Sequence, residues 1–407
     1  MIKQSVAAAN GVCAARGFRA GAAAADVRGD GSAERLDIAL VVSDVPCQAA
    51  GVFTRNRVRA APVVLAEETL QVPEARVVLI NSGNANACTG DQGLRDARAM
   101  AALAADTCGV PPDQVLVCST GVIGRMMPMD RIERGIRAAS GALSTTGSDT
   151  VATAIMTTDT VPKQATSRFT VDGTEYIIGG MAKGAGMIHP DMATLIAVVT
   201  TDAAIAGNDL HDVLRRVADN SLNCVTVDGD TSTNDSLILL ANGAAGGPRF
   251  TAASAALVHF EDALDDVLQD LAEQIVADAE GATKHFKVTV HEAASVADAR
   301  LAARTIAASP LVKTAIHGGD PNWGRIVAAL GRSGAEFAID SVRVAVGPVS
   351  VFEFGAPAAA TLDAVRDVFA QPRVDIELHL GCGACTGHAW GCDLTAEYVH
   401  INADYTT

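Results

Sequence analysis

The sequence predicts an α/β or α+β protein, and three observations carry that reading. Strand-length apolar runs and helical apolar periodicities interleave along the whole chain instead of segregating. Hydrophobic residues make up 49% and charged residues 19%, which supplies a large core and excludes a disordered chain. Two short apolar runs each lead into a small, polar, glycine-containing loop, and loops held by rigid elements are where functional groups concentrate.

Taken in order, residues 76–80 predict a buried strand that enters the polar loop 81–90. Residues 94–107 predict a helix stopped by Gly109 and Pro111-Pro112. A second strand at 115–118 runs into Ser119-Thr120-Gly121-Val122-Ile123-Gly124. A strand at 175–178 is followed by the small residues of 179–186, and another strand is expected over 194–199. Leu210, Val213, Leu214 and Val217 mark a helix with Asn208 as its N-cap. The clearest helix lies between Phe260 and Glu280, with Leu264, Val267, Leu268, Leu271, Ile275 and Val276 as its stripe and Gly281 as its stop. From about Val288, strands alternate with alanine-rich helices, which predicts a smaller C-terminal domain.

Charge and cysteine usage narrow the function. Lys and Arg number 31 against 47 Asp and Glu, a net charge of −16 that argues against a nucleic-acid partner. No window offers the run of roughly 18 uncharged apolar residues a membrane span needs, and Asn10, Arg16 and Arg19 interrupt the alanine-rich start. Nine scattered cysteines do not form a disulfide framework, so a soluble, cytoplasmic protein is expected.

Several motifs fail on inspection. There is no phosphate-binding G-x-x-x-x-G-K-[ST] loop, and Gly184-Ala185-Gly186 meets His189 where the dinucleotide fingerprint needs glycine. Asp228-Gly229-Asp230-Thr231-Ser232 begins like a calcium loop, but Thr233 and Leu239 occupy its sixth and twelfth positions. A polar turn, or a hydrogen-bonding loop near a site, is the better reading. Cys382, Cys385, His388 and Cys392 have a spacing that could ligate zinc, or they are small thiols in a tight turn.

Thr194 is the sharper candidate. As an ordinary residue it begins a strand; as a new chain N-terminus it would carry its own base. An α-amine with a reference pKa near 8 can take the hydroxyl proton. That chemistry requires a break before Thr194, supplied by attack of the hydroxyl on the Ala193 carbonyl and hydrolysis of the resulting ester.

Residues 183–195, Lys183-Gly184-Ala185-Gly186-Met187-Ile188-His189-Pro190-Asp191-Met192-Ala193-Thr194-Leu195, resemble the self-cleavage segment of the ornithine acetyltransferase family, the bifunctional glutamate N-acetyltransferases of arginine biosynthesis. The blocks at 119–124, 155–160, 228–235, 317–325 and 390–407 are similar to that family in the same order. The resemblance implies an αββα-like layered core of the N-terminal-nucleophile type. It implies residues 1–193 as one chain, 194–287 completing the core and 288–407 as the smaller domain, with the chains staying associated as two pairs. Thr194 would be the nucleophile, and Thr120 and Gly121 the oxyanion hole. Thr157, Lys183, Thr194, Glu280, Asn402 and Thr407 would bind the substrates N-acetylornithine, glutamate, ornithine and N-acetylglutamate. No cofactor is implied, with acetyl-CoA as a second acetyl donor left open. The family carries no metal-binding set where His379, Cys382, Cys385 and His388 lie, so no metal is expected. An aminopeptidase or amidase of related fold, and an uncleaved amino-acid-binding paralogue, are the alternatives. Ala185, Asp191 and Leu195-Ile196 depart from the family's usual residues.

Overall fold

A computed structural model describes residues 10–32, 34–189, 195–359 and 362–404. The strands are β1 (Phe18–Ala23), β2 (Ile38–Phe53), β3 (Glu74–Asn81), β4 (Val115–Ser119), β5 (Lys163–Val171), β6 (Thr174–Lys183), β7 (Ile196–Thr201), β8 (Val225–Thr226) and β9 (Ser236–Ala241). They continue with β10 (His285–Ala293), β11 (Arg343–Val346), β12 (Val349–Glu353), β13 (Ala356–Pro357), β14 (Arg373–His379) and β15 (Cys385–Cys392). The helices are α1 (Ala61–Thr69), α2 (Gly90–Cys108), α3 (Met129–Gly141), α4 (Ser148–Ala154), α5 (Gly207–Asn220) and α6 (Ala255–Ala277). After them come α7 (Val296–Ala307), α8 (Pro310–Gly318), α9 (Gly324–Gly331), α10 (Leu362–Phe369) and α11 (Ala396–Asp404).

The long β2 organises the first sheet. Its first part, Ile38 to Ser43, pairs with β1, and Ile38 to Gln48 pairs with β3. Its last part, Gln48 to Phe53, pairs with β9, which leads on to β7, β6 and β5. A register break between Val42 and Cys47 turns the strand, as an extra residue in a ladder does. The two halves of the sheet therefore face each other. Phe18, Ala39, Val41, Val78, Ile80 and Leu116 on one half meet Met181, Ile196, Val198, Ile238 and Leu240 on the other.

Each half also has an outer face. Leu40, Val77, Leu79 and Val117 pack under α2 and α3 through Met100, Ala104, Ile132 and Ile136. Ile178, Val199, Leu237 and Leu239 pack under α5 and α6 through Leu214, Leu264, Leu268 and Ile275. Helices, sheet, sheet and helices make the αββα layering that was expected. Burial on both faces is why Val77-Val78-Leu79-Ile80 reads as an unbroken apolar run. Truncating a fully buried α6 residue such as Leu268 to alanine should cost ~2–5 kcal/mol.

The second sheet runs β13-β12-β11-β14-β10-β15-β8. Its core lies between Phe286, Val288, Val374, Ile376 and Leu378 and the helices α7 to α10. Trp390 and Cys392 of β15 enter the α5–α6 core, so α6 is shared by both sheets.

Three local expectations need correction. The small residues after 178 continue β6 to Lys183; a Cβ on Gly179 would sit 2.0 Å from the Gly11 carbonyl oxygen, so the backbones approach too closely for a side chain. Asn208 lies inside the first turn of α5, whose N-cap is the extended Ala206. The α6 helix stops at Asp278, and Gly281 takes its left-handed φ of +67 three residues later.

Candidate active site

The polar loops at the strand ends converge on one cavity of about 340 Å³. Thr120, Gly121, Thr157, Lys183, Glu280 and Asn402 all line it. Of the two readings of the 228–232 segment, the loop near a site holds: Asp228 and Asp230 to Asn234 line the cavity too. Ala193, Thr194 and Thr407 lie outside the described residues.

The loop after β4 supplies the first wall. The Thr120 N–H donates to the Asn81 carbonyl at 2.9 Å, and Asn234 Nδ2 ties the Ser119 and Ala85 carbonyls at 2.8 and 2.6 Å. Gly121 has φ +129, and a Cβ there would lie 2.4 Å from the Gly83 carbonyl carbon, so only glycine fits. Among the described residues, neither the Gly121 N–H nor the Thr120 hydroxyl makes a hydrogen bond. Two donors fixed at a strand end and left without partners can stabilise developing negative charge on an oxygen.

The end of β6 supplies the second. Lys183 is buried, and its Nζ lies 3.9 Å from Asp159 Oδ2, an ion pair without a close hydrogen bond. Burial lowers the Lys183 pKa, and Asp159 offsets only part of that effect. Asp159 itself is saturated: Oδ1 accepts from Lys163 Nζ at 2.8 Å and from the Gly184 N–H at 2.7 Å, while Oδ2 accepts from the Thr157 N–H at 3.0 Å. Burial would raise this carboxyl, but Lys183 and Lys163 outweigh it and hold it at about 2. Lys163 also binds Asp278 at 2.6 Å, so its charge is fully paired.

The floor comes from the chain beyond α6 and from α11. The Glu280 N–H donates to the Ala185 carbonyl at 2.9 Å, and Asn402 Nδ2 donates to Glu280 Oε2 at 2.8 Å. A Cβ on Gly186 would fall 2.3 Å from that carboxylate, so glycine keeps the space beside it open. Tyr398 on α11 donates to Asp228 Oδ2 at 3.2 Å, and Asp228 accepts the Met187 and Ile188 N–H groups. This holds the segment leading towards Thr194 at its upstream end. At its downstream end Asp235 Oδ1 accepts the Leu195 N–H at 2.9 Å. Among the described residues, Asp235 Oδ2 is buried without a hydrogen-bond partner. Burial pushes the Asp235 carboxyl well above its usual range, against the smaller pull of Leu195 and Lys183.

Asp159, Lys163, Asp235 and Tyr398 were not singled out from the sequence. Asp159, Asp235 and Tyr398 sit inside the similar blocks 155–160, 228–235 and 390–407, which was the available signal. The cysteine set does not assemble. Cys385 and His388 are three apart on β15, which puts them on opposite faces; Cys392 is buried beside Lys313, and Cys382 is exposed.

An αββα fold with strand-end donors, a buried lysine and a carboxylate around one small cavity defines an enzyme site for a small zwitterion. A profile of the ArgJ family matches residues 19–407. "Arginine biosynthesis bifunctional protein ArgJ" of Symbiobacterium thermophilum is 51% identical over 98% of this chain and 99% of its own. The protein of the same name from Dehalococcoides mccartyi is 47% identical over 96% of each chain. The crystal structure of the Arginine biosynthesis bifunctional protein argJ from Bacillus halodurans superposes with a TM-score of 0.50 at 41% identity, covering 51% of this chain and 98% of that one. The chain belongs to the ArgJ family. No helix among the described residues is long and apolar enough to cross a membrane.

Proposed function

We propose that this chain is a glutamate N-acetyltransferase of arginine biosynthesis, moving acetyl from N-acetylornithine to glutamate. The observation that carries the reading is the gathering of Thr120, Gly121, Thr157, Lys183, Glu280 and Asn402 around one cavity of amino-acid size. The resemblance had brought these residues together from five separate parts of the chain.

The reaction begins with self-cleavage between Ala193 and Thr194, which gives chains 1–193 and 194–407 that stay together as two pairs in the cytoplasm. The freed α-amine takes the Thr194 hydroxyl proton as the oxygen attacks the acetyl carbonyl of N-acetylornithine. Thr120 and Gly121 donate to the tetrahedral oxyanion. The C–N bond breaks, the leaving amine takes the proton, and ornithine departs, leaving acetyl on Thr194 as an ester. The amine of glutamate attacks that ester, and N-acetylglutamate leaves with Thr194 restored. Lys183 pairs with the substrate's α-carboxylate, and Glu280, held by Asn402, accepts from its amino group. Thr157 and Thr407 complete the binding set. The ester replaces a bound cofactor; acetyl-CoA enters only as a second acetyl donor, in keeping with the "bifunctional" name of the relatives.

Isotopically labelled acetyl-ornithine tests this directly. Label should appear in N-acetylglutamate when glutamate is present, and release of the label only as free acetate would contradict the transferase reading.

A further inference from the structure

The outward face of the second sheet carries a group of side chains that the acetyl-transfer site does not use. His291 on β10 and His379 on β14 are paired in parallel register, and their rings stack at 4.8 Å with 24° between planes. Glu377 lies two residues before His379 on the same strand, so the pleat puts it on the same face. The donor atoms that His291, Glu377 and His379 offer all lie within 4.8 Å of one another. Two imidazoles and one carboxylate are the donor types of zinc sites with an open position. Imidazole donors favour zinc, cobalt or nickel over magnesium or calcium, which take oxygen ligands.

A fourth residue argues for more than coincidence. Glu292 Oε1 accepts from His379 Nδ1 at 3.1 Å, which fixes the tautomer and leaves Nε2 as the lone-pair nitrogen. Metal-ligating histidines are oriented in this way by a carboxylate behind them. Simple alternation along β10 would send Glu292 to the opposite face from His291. Instead Glu292 has a left-handed φ of +57, at a register irregularity between Val290 and Ala293. That conformation is uncommon for a residue with a side chain, and it brings the carboxylate to His379. Arg343 then holds Glu292 through both oxygens, at 2.9 and 3.1 Å.

We propose that His291, His379 and Glu377 form a divalent transition-metal site, with Glu292 orienting His379 and water filling the open positions. The site is distinct from Cys382, Cys385, His388 and Cys392, and a bound ion would tie β10 to β14 across the sheet.

Zn²⁺ titration of the full, chelator-stripped protein in competition with a chromophoric chelator tests the proposal. Its thiols are alkylated first, because the nine free cysteines would otherwise bind the ion. Wild type should bind one equivalent that His291→Ala/His379→Ala does not, and Zn²⁺ should raise the melting temperature only of the wild type. Glu377→Gln should weaken binding, and Glu292→Gln should weaken it by roughly 10–100-fold without removing a ligand. Equal zinc uptake by wild type and double variant, or unchanged affinity in both glutamate variants, would overturn the assignment. An unchanged metal-free melting temperature and unchanged acetyl transfer show that the double variant is folded. Should it unfold, His379→Gln alone supplies the same comparison.

Discussion

Two buried carboxylates both act on Lys183 and end in opposite electrical states. Asp159 accepts from Lys163 and two backbone N–H groups, has Lys183 as a second cation nearby, and stays ionised far into acid. Asp235 holds the Leu195 N–H with one oxygen, has no partner for the other among the described residues, and resists ionisation. Burial acts on both alike; the number of positive partners decides the outcome. The same contrast separates the lysines. Lys163 has two close carboxylates and belongs to the framework, whereas among the described residues Lys183 has one ion pair, at 3.9 Å, and faces the cavity. The carboxylate binding proposed for this cavity calls for such an under-satisfied cation, and a saturated pair beside it holds the backbone in place.

The largest effect should come from breaking the saturated side. Lys163→Met leaves Asp159 and Asp278 without their shared cation and should lower unfolding free energy by about 3–5 kcal/mol, measured in denaturant. Lys183→Met should leave stability closer to wild type and instead raise KM. A larger stability loss for Lys183→Met than for Lys163→Met would reverse the assignment of the two lysines.

Next comes the oxyanion wall. Thr120→Val removes a hydroxyl donor while keeping shape, and kcat should fall roughly 10²–10³-fold. Steady-state rates with N-acetylornithine and glutamate check this, and a change confined to KM would argue that the hydroxyl serves binding alone.

The pH dependence sharpens the contrast. The folded Asp159 pKa is depressed to about 2 from 3.8, so its contribution is complete above pH 4 and lost as pH falls towards 2. A loss of about 2 kcal/mol is expected over that window. Asp235 has the reverse sign. Its folded pKa is raised, so the unfolded state ionises first and stability declines as pH climbs above 3.8. Melting curves across pH should show that decline flattened in Asp235→Asn. The amide still accepts from Leu195, so the stability change at pH 4 should stay within about 1 kcal/mol.

Much of this was legible in the sequence, for identifiable reasons. Both strand-end loops and the α6 stripe follow from apolar runs and period, because burial on one or both faces writes directly into composition. The site residues came instead from motif similarity, since Lys183 and Glu280 are unremarkable as local sequence. Lys163 could not be told from Lys183 because its second partner, Asp278, is 115 residues away and only the fold brings it close. The layering was similarly hidden. Nothing local in β2 announces that one strand serves two stacked halves, and its bend depends on ladders to β1, β3 and β9. The caps at Asn208 and Gly281 were misplaced because helix ends are decided by neighbours more than by the capping residue.

Mass spectrometry of the denatured protein after incubation with N-acetylornithine alone tests the central claim most directly. Two fragments divided before Thr194 are expected, with one acetyl group on the threonine that begins the C-terminal fragment. A single full-length species, or two fragments that both remain free of acetyl, would contradict it.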